Sequence, residues 1–291
     1  MTEKKAIVIG IDGAQLEKLD ETPTPYLDSL NIIESFTGGI QGTETEQQTF
    51  SGPGWGSLLT GVWANKHGIV SNDDTLRAKP DYPSIFEYVH NDDPDNYIAS
   101  VVNWGLINAY FEEDVNSIVD FELTAPEPTD DQLAQDNIIA QTVADLILKQ
   151  GPDYTFVHLD NVDVVAHNFG FSPEYLEAIT MADGHVGKII DAVEEREAAY
   201  PDEDWLVIVT TDHGREPSEG FDHGGQTDSE RTTFIASNKE LDDSSVAPAT
   251  DLVPTVLDHL DIEGGEFDGT SLLESQPEGA SHLCRTFVLK L

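Results

Sequence analysis

The strongest constraint on the fold is an alternation: short runs rich in β-branched and other apolar residues, separated by longer amphipathic stretches. Residues 6–11, 97–103, 154–159, 205–211 and 232–236 read as strands. Between them, residues 54–60, 131–149, 173–200 and 248–259 read as helices. In the second of these, Leu133, Ile138, Val143, Leu146 and Ile147 give an approximate apolar stripe. Strands and helices in alternation build a parallel sheet covered by helices, so the expected class is α/β. With no internal repeat or long linker, residues 1–291 are expected to form a single domain. Apolar residues are 38% of the chain, and their clustering in dense runs is enough for a sizeable core. The turn-rich acidic stretches 92–95 and 124–131 read as surface loops.

In open α/β sheets, ligands bind beyond the carboxyl ends of the strands. Asp12 follows the first predicted strand, Asp163 the third, and Asp212 with His213 the fourth. Acids and histidines far apart in the chain are therefore expected to meet at one edge of the sheet.

Four segments carry candidate chemistry. Gly10-Ile11-Asp12-Gly13 ends a buried strand, and Thr49-Phe50-Ser51-Gly52-Pro53-Gly54-Trp55 enters a helix. Asp163 and His167 stand four residues apart. Thr210-Thr211-Asp212-His213-Gly214 is followed by Asp222-His223-Gly224-Gly225. Carboxylate oxygen and imidazole nitrogen suit Zn²⁺, and three Asp with three His divide into two sites. Two metals about 4 Å apart can clamp the attacking and leaving oxygens of an in-line displacement. Beside such a metal the hydroxyl of Ser51 needs no separate general base. Gly52 and Gly54 would leave backbone N–H groups exposed at a helix N-terminus, a cradle for phosphate oxygens. Each segment alone has a plainer reading. An Asp after a strand caps a helix, Asp and His four apart are a common surface pair, and the Ser51 loop can be a tight turn. Their joint occurrence in this order points to a metal site.

Charge narrows the partners. Fourteen Lys and Arg against 56 Asp and Glu give a net charge of −42, spread along the chain. Nucleic acid and anionic membrane are disfavoured, because phosphate backbones need clustered Lys and Arg. Self-repulsion of this size is tolerable where salt shortens the Debye length, from about 10 Å at 0.1 M to about 3 Å at 1 M, so a halophilic setting is expected. Cys284 is alone, which leaves no intrachain disulfide or Cys metal cluster. Without a signal-peptide pattern at the N-terminus or an apolar run of transmembrane length, a cytoplasmic protein is expected.

These segments resemble the alkaline phosphatase superfamily, and within it the nucleotide pyrophosphatase/phosphodiesterase-like branch. The resemblance runs from Val8-Ile9-Gly10-Ile11-Asp12-Gly13 to Asp268-Gly269-Thr270-Ser271-Leu272-Leu273, through Leu59-Thr60-Gly61-Val62, Lys66-His67-Gly68-Ile69 and Asp251-Leu252-Val253-Pro254-Thr255-Val256-Leu257. It implies a three-layer α/β/α sandwich with a mostly parallel central sheet. It implies one divalent metal, Zn²⁺ with Mn²⁺ or Co²⁺ as alternatives, held by Asp12, Asp212, His213 and the nucleophile oxygen. Asp163, His167 and His223 would hold the second. Counting back from Leu59-Thr60-Gly61 places the nucleophile at Ser51; Thr49 is the rival, since the branch more often uses a threonine followed by Phe. The implied activity is hydrolysis of a small phosphate ester, by a phosphodiesterase or phosphatase, through a phosphoseryl intermediate.

The chain also departs from the pattern. Gly54 stands where the branch carries a phosphate-holding asparagine, so that task falls to metals, to backbone N–H groups such as that of Gly52, or to Asn103 at a strand end. The plainer reading of Asn103 is a turn residue. Trp55 replaces the arginine that a formylglycine sulfatase needs. Asp160 competes with Asp163 as a ligand, though the spacing to His167 favours Asp163, and His67 reads as structural. The competing functions are sulfate-ester or phosphonate hydrolysis in the same superfamily, and a metal-binding protein without turnover.

Overall fold

Strand β1 (Glu3–Ile11) is buried without interruption from Ala6 to Ile11, as only a strand flanked by neighbours and covered on both faces can be. The structure is a computed structural model in which residues 2–125 and 132–273 are described. The other strands are β2 (Asn31–Phe36), β3 (Ile98–Val102), β4 (Phe121–Thr124), β5 (Tyr154–Leu159), β6 (Glu203–Thr210), β7 (Thr232–Ser237) and β8 (Ala247–Pro248). They form one eight-stranded sheet in the order β4-β3-β5-β1-β6-β7-β2-β8. Only β7 runs antiparallel to its neighbours, β6 and β2. The five strands expected from sequence are β1, β3, β5, β6 and β7; β2, β4 and β8 are additional.

The alternation of side chains along β1 separates two cores. Ile7, Ile9 and Ile11 join Val157, Leu159, Val207 and Val209 on one face. Ala6 and Val8 join Phe156, Leu206 and Ile208 on the other. Helices α1 (Ser51–Thr60), α2 (Gln132–Lys149), α3 (Asn161–Phe169), α4 (Pro173–Ala199) and α5 (Leu252–His259) cover these faces. Apolar side chains of α2, α3 and α4 pack into the first core, and those of α1 and α5 into the second. The result is the expected three-layer α/β/α sandwich.

Helix α1 starts at Ser51, three residues before the expected start, and is buried along its whole length. Residues 92 and 124 belong to a helix and to β4 rather than to loops. Residues 126–131 and Cys284 lie outside the described residues. No helix of the described residues is long and apolar enough to cross a membrane.

Candidate active site

Strands β5, β1 and β6 are neighbours in the sheet and parallel, so their carboxyl ends lie side by side. Asp12 follows β1, α3 with Asp163 follows β5, and Asp212 and His213 follow β6. Topology alone thus brings together three segments some 50 to 200 residues apart in the chain.

The ligand atoms of Asp12, Asp212 and His213 all lie within 4.8 Å of one another, and none of the three residues is more than 1% exposed. His213 Nε2 is 3.3 Å from Asp12 Oδ1 and 3.4 Å from Asp212 Oδ2. Its Nδ1 faces the carbonyl of Gly214 at 2.9 Å; a carbonyl can only accept, so the proton is on Nδ1. Without a cation Nε2 carries a second proton toward Asp12; with that proton displaced, its lone pair would face two carboxylate oxygens, a set of donors that suits a cation. Asp212 Oδ2 is buried with no hydrogen-bond donor among the described residues. Burial and the charge of Asp12 push the Asp212 carboxyl well above its ordinary value. Burial opposes the charge on His213, but the carboxylates of Asp212 and Asp12 outweigh it and raise the imidazole to about 9. This cluster holds more negative charge than its own donors neutralise, and its oxygen and nitrogen donors fit a divalent cation.

A second set adjoins the first. His223 Nε2 lies 3.2 Å from His167 Nε2 and 3.8 Å from Asp163 Oδ1, while His167 Nε2 lies 3.2 Å from Asp163 Oδ2. His223 Nδ1 donates to the carbonyl of Thr49 at 2.8 Å, which leaves its Nε2 lone pair facing the other two residues. Burial and the charge of His213 hold the His223 imidazole down at about 3, so it stays neutral and able to ligate. The two sets meet where the rings of His213 and His223 stack, with centroids 3.6 Å apart. Residues Asp163, His213 and His223 also have ligand atoms within 4.8 Å of one another, so the sets are contiguous.

Ser51 opens α1 with its Oγ 3.3 Å from His213 Nε2 and 3.5 Å from Asp12 Oδ1. Thr49 is fully buried and otherwise engaged: its Oγ1 accepts from the N–H of Gly224 and donates to the carbonyl of Gly225, both at 2.9 Å. It braces the loop that presents His223. Gly54 packs directly on the Asp212 segment, where a Cβ would stand 2.9 Å from the Asp212 carbonyl oxygen. No asparagine fits there. The expected cradle of free N–H groups is not open: the Gly52 N–H donates to Asn72 Oδ1 at 2.7 Å and the Gly54 N–H to the carbonyl of Phe50 at 3.0 Å. Asn103 points its amide nitrogen at Asp136 Oδ1, 2.6 Å away, and Asp136 in turn accepts the N–H groups of Asp160 and Asn161 that begin α3. His67 is fully buried, accepts the Ile69 N–H on Nδ1 and lies 3.2 Å from Ser57 Oγ, inside α1's supporting network.

Three residues not anticipated from sequence complete the surroundings. His158 and Trp55 both contact Asp12 Oδ2 at 2.9 Å. Burial opposes ionisation of Asp12, but hydrogen bonds from His158 and His213 hold its carboxyl well below the ordinary range. Arg215 is fully buried and bonds Asp163 Oδ1, with its other nitrogens on the carbonyls of Gly220 (2.6 Å) and Phe221 (2.7 Å). Burial resists ionisation of Asp163, but His167 and Arg215 keep its carboxyl low. Asp160 has a ligand atom within 4.8 Å of those of Asp12 and His158. A histidine inside the otherwise apolar run of β5 was the one local signal for His158; nothing near Arg215 in sequence signals its partner.

The chain shares its family and its fold with known proteins. A model of the type I phosphodiesterase / nucleotide pyrophosphatase family matches residues 6–231. No curated protein matches the chain. Among solved structures, murine ectonucleotide pyrophosphatase / phosphodiesterase 5 superposes with a TM-score of 0.65 at 14% identity, covering 91% of this chain and 97% of its own. An inactive threonine-to-alanine variant of that murine protein in complex with AMP gives 0.65 at 15% identity, over 92% and 98%. The phosphonate monoester hydrolase of Agrobacterium radiobacter gives 0.66 at 14% identity, over 94% and 78%. At these identities the structural likeness speaks for the fold.

Proposed function

The chain belongs to the type I phosphodiesterase / nucleotide pyrophosphatase family, and from that premise we propose that it is a metal-dependent hydrolase of small phosphate esters with Ser51 as nucleophile. The observation that carries this reading is the position of Ser51 Oγ, 3.3 Å from His213 Nε2 and 3.5 Å from Asp12 Oδ1, at the first residue of α1. Asp12, Asp212 and His213 would hold one divalent cation, and Asp163, His167 and His223 the other. Their oxygen and nitrogen donors suit Zn²⁺, with Mn²⁺ or Co²⁺ as substitutes. Two ions so held would supply positive charge against the attacking and leaving oxygens of an in-line displacement.

Ser51 Oγ gives up its proton to solvent and attacks phosphorus opposite the leaving oxygen; the bond from phosphorus to that oxygen breaks, the leaving oxygen takes a proton from water, and the phosphoryl group passes to the serine. Water then attacks the phosphoserine, the bond from Oγ to phosphorus breaks, and the Ser51 hydroxyl returns. The start of α1 favours the anionic intermediate through its dipole and the Gly52 N–H, where a phosphoryl oxygen would replace the side-chain oxygen of Asn72. His223 stays neutral because burial makes its protonation costly, and Thr49 fixes its tautomer.

The murine relative's complex with AMP makes nucleotide esters a reasonable class. Polyphosphates fit less well. Arg77 is paired with Glu112 at 3.0 Å, Lys79 bonds the carbonyl of Asn65, and the net charge of −42 repels polyanions. Ser51→Ala tests the reading. It is expected to lose about a thousandfold or more of kcat on bis-p-nitrophenyl phosphate and p-nitrophenyl phosphate while retaining metal. Full activity in that variant would remove Ser51 from the mechanism and turn attention to Thr49. Matched p-nitrophenyl sulfate is expected to be the poorer substrate.

A further inference from the structure

Trp55 lies four residues after Ser51 on α1, so both side chains project from one face of the helix toward β1. They reach the two oxygens of a single carboxylate: Ser51 Oγ is 3.5 Å from Asp12 Oδ1, and Trp55 Nε1 is 2.9 Å from Asp12 Oδ2. The indole is fully buried, in a slot that β1 provides by carrying glycine at position 10. A Cβ on Gly10 would stand 2.2 Å from the indole Cη2.

The cross-strand partner of Gly10 on β5 is His158, which meets the same carboxylate oxygen from the other side, with Nε2 2.9 Å from Asp12 Oδ2. Its ring stands edge-on to the indole, at 5.1 Å and 86°. The Trp104 N–H points at His158 Nδ1 from 3.3 Å. A backbone N–H can only donate, so Nδ1 accepts and the ring proton is on Nε2, donated to Asp12. With Nε2 protonated and Nδ1 engaged, His158 has no lone pair to offer a cation, although its ring nitrogen lies within 4.8 Å of ligand atoms of Asp12 and Asp160. Asp12 Oδ2 is thus held by two buried N–H donors, and Oδ1 is left toward His213 and Ser51.

We propose that Trp55, together with His158, is a positioning residue: the pair confines Asp12 to one ligating oxygen and fixes the helix that bears Ser51 in register with the strand that bears Asp12. The inference rests on the two-metal reading above. It assigns a task to the residue found where the sulfatase pattern would place arginine, and it explains why position 10 has no side chain.

Trp55→Phe keeps a ring in the slot and removes the N–H. Zn²⁺ affinity of the metal-free protein, measured by competition with a chelating dye, is expected to fall about 10- to 100-fold at one of two sites, the usual effect of removing an outer hydrogen bond to a ligand. The second site should hold its wild-type affinity, and at saturating Zn²⁺ kcat should fall with KM nearly unchanged. Wild-type affinity at both sites in Trp55→Phe would overturn the proposal. Should Trp55→Phe fail to fold, His158→Gln and His158→Phe replace it. Gln can keep an N–H on Oδ2, so tighter Zn²⁺ binding by His158→Gln than by His158→Phe supports the clamp, and equal binding by the two overturns it. Wild-type protein that binds no Zn²⁺ sinks the underlying metal reading instead, which keeps the two failures apart.

Discussion

Replacing Asp212 by asparagine should change the sign of its effect on stability with and without metal. The carboxylate is fully buried, its Oδ2 finds no donor among the described residues, and its ligand atom lies within 4.8 Å of that of Asp12. At an effective dielectric of about 20, two unit charges 4.8 Å apart repel by about 3.5 kcal/mol. Protonated His213 cancels part of this, leaving about 1–2 kcal/mol in favour of the neutral amide once the carboxyl ionises. The sign follows from linkage. Asp212's folded value is raised above its ordinary 3.8, so the metal-free wild type loses stability as pH climbs from 3.8 toward the folded value, whereas the amide does not. In chelator at pH 8, scanning calorimetry should place Asp212→Asn about 2–4 °C above wild type, at about 2 °C per kcal/mol for a chain of this size. With Zn²⁺ at about a hundred times Kd, wild type should gain about 2.7 kcal/mol, or about 5 °C, from the first site and the variant little of it, so the order reverses. A variant less stable than wild type in chelator, or one that gains equally from Zn²⁺, would refute the idea that this oxygen awaits a cation.

Two further outcomes are expected. Burial, then the charge of Lys79, holds His67 at about 3 against an ordinary 6.5, so its stabilising contribution is complete above 6.5 and is lost as pH falls toward 3. In urea titrations, the stability difference between wild type and His67→Gln should shrink by about 1.4 kcal/mol per pH unit below 6.5, and a constant difference would contradict this. The charge of −42 should make thermal stability rise from 0.1 to 1 M KCl, as the Debye length drops from about 10 to about 3 Å; a flat or falling melting temperature would show that self-repulsion is minor.

The central strands were legible because β1, β5 and β6 are buried on both faces and read as largely apolar runs. Edge strands β4 and β8 were not: Phe121–Thr124 is half-exposed, and Ala247–Pro248 is too short to leave a pattern. Strand β2 reads as Asn-Ile-Ile-Glu-Ser-Phe, whose polar residues broke the run that sequence reading looks for. The glycines of Ser51–Thr60 hid the true start of α1, and only its packing on the Asp212 segment shows why they are there. The meeting of Asp12, Asp163, Asp212 and His213 was readable because they follow strands whose carboxyl ends lie side by side. The partners of those ligands were not. Arg215 and Asp163 are 52 residues apart, and Trp55 and Asp12 are 43 apart, so each pairing exists only once the layers close. Asn103 has the residue type of a phosphate holder, yet the fold turns its amide toward Asp136.

The account rests on two cations side by side at one serine. Anomalous diffraction at the zinc edge, from crystals of the wild-type chain equilibrated with Zn²⁺, tests this most directly. Two peaks about 4 Å apart are expected, one among Asp12, Asp212 and His213 with Ser51 Oγ beside it, the other among Asp163, His167 and His223. A single peak, or peaks confined to the acidic surface, would contradict it.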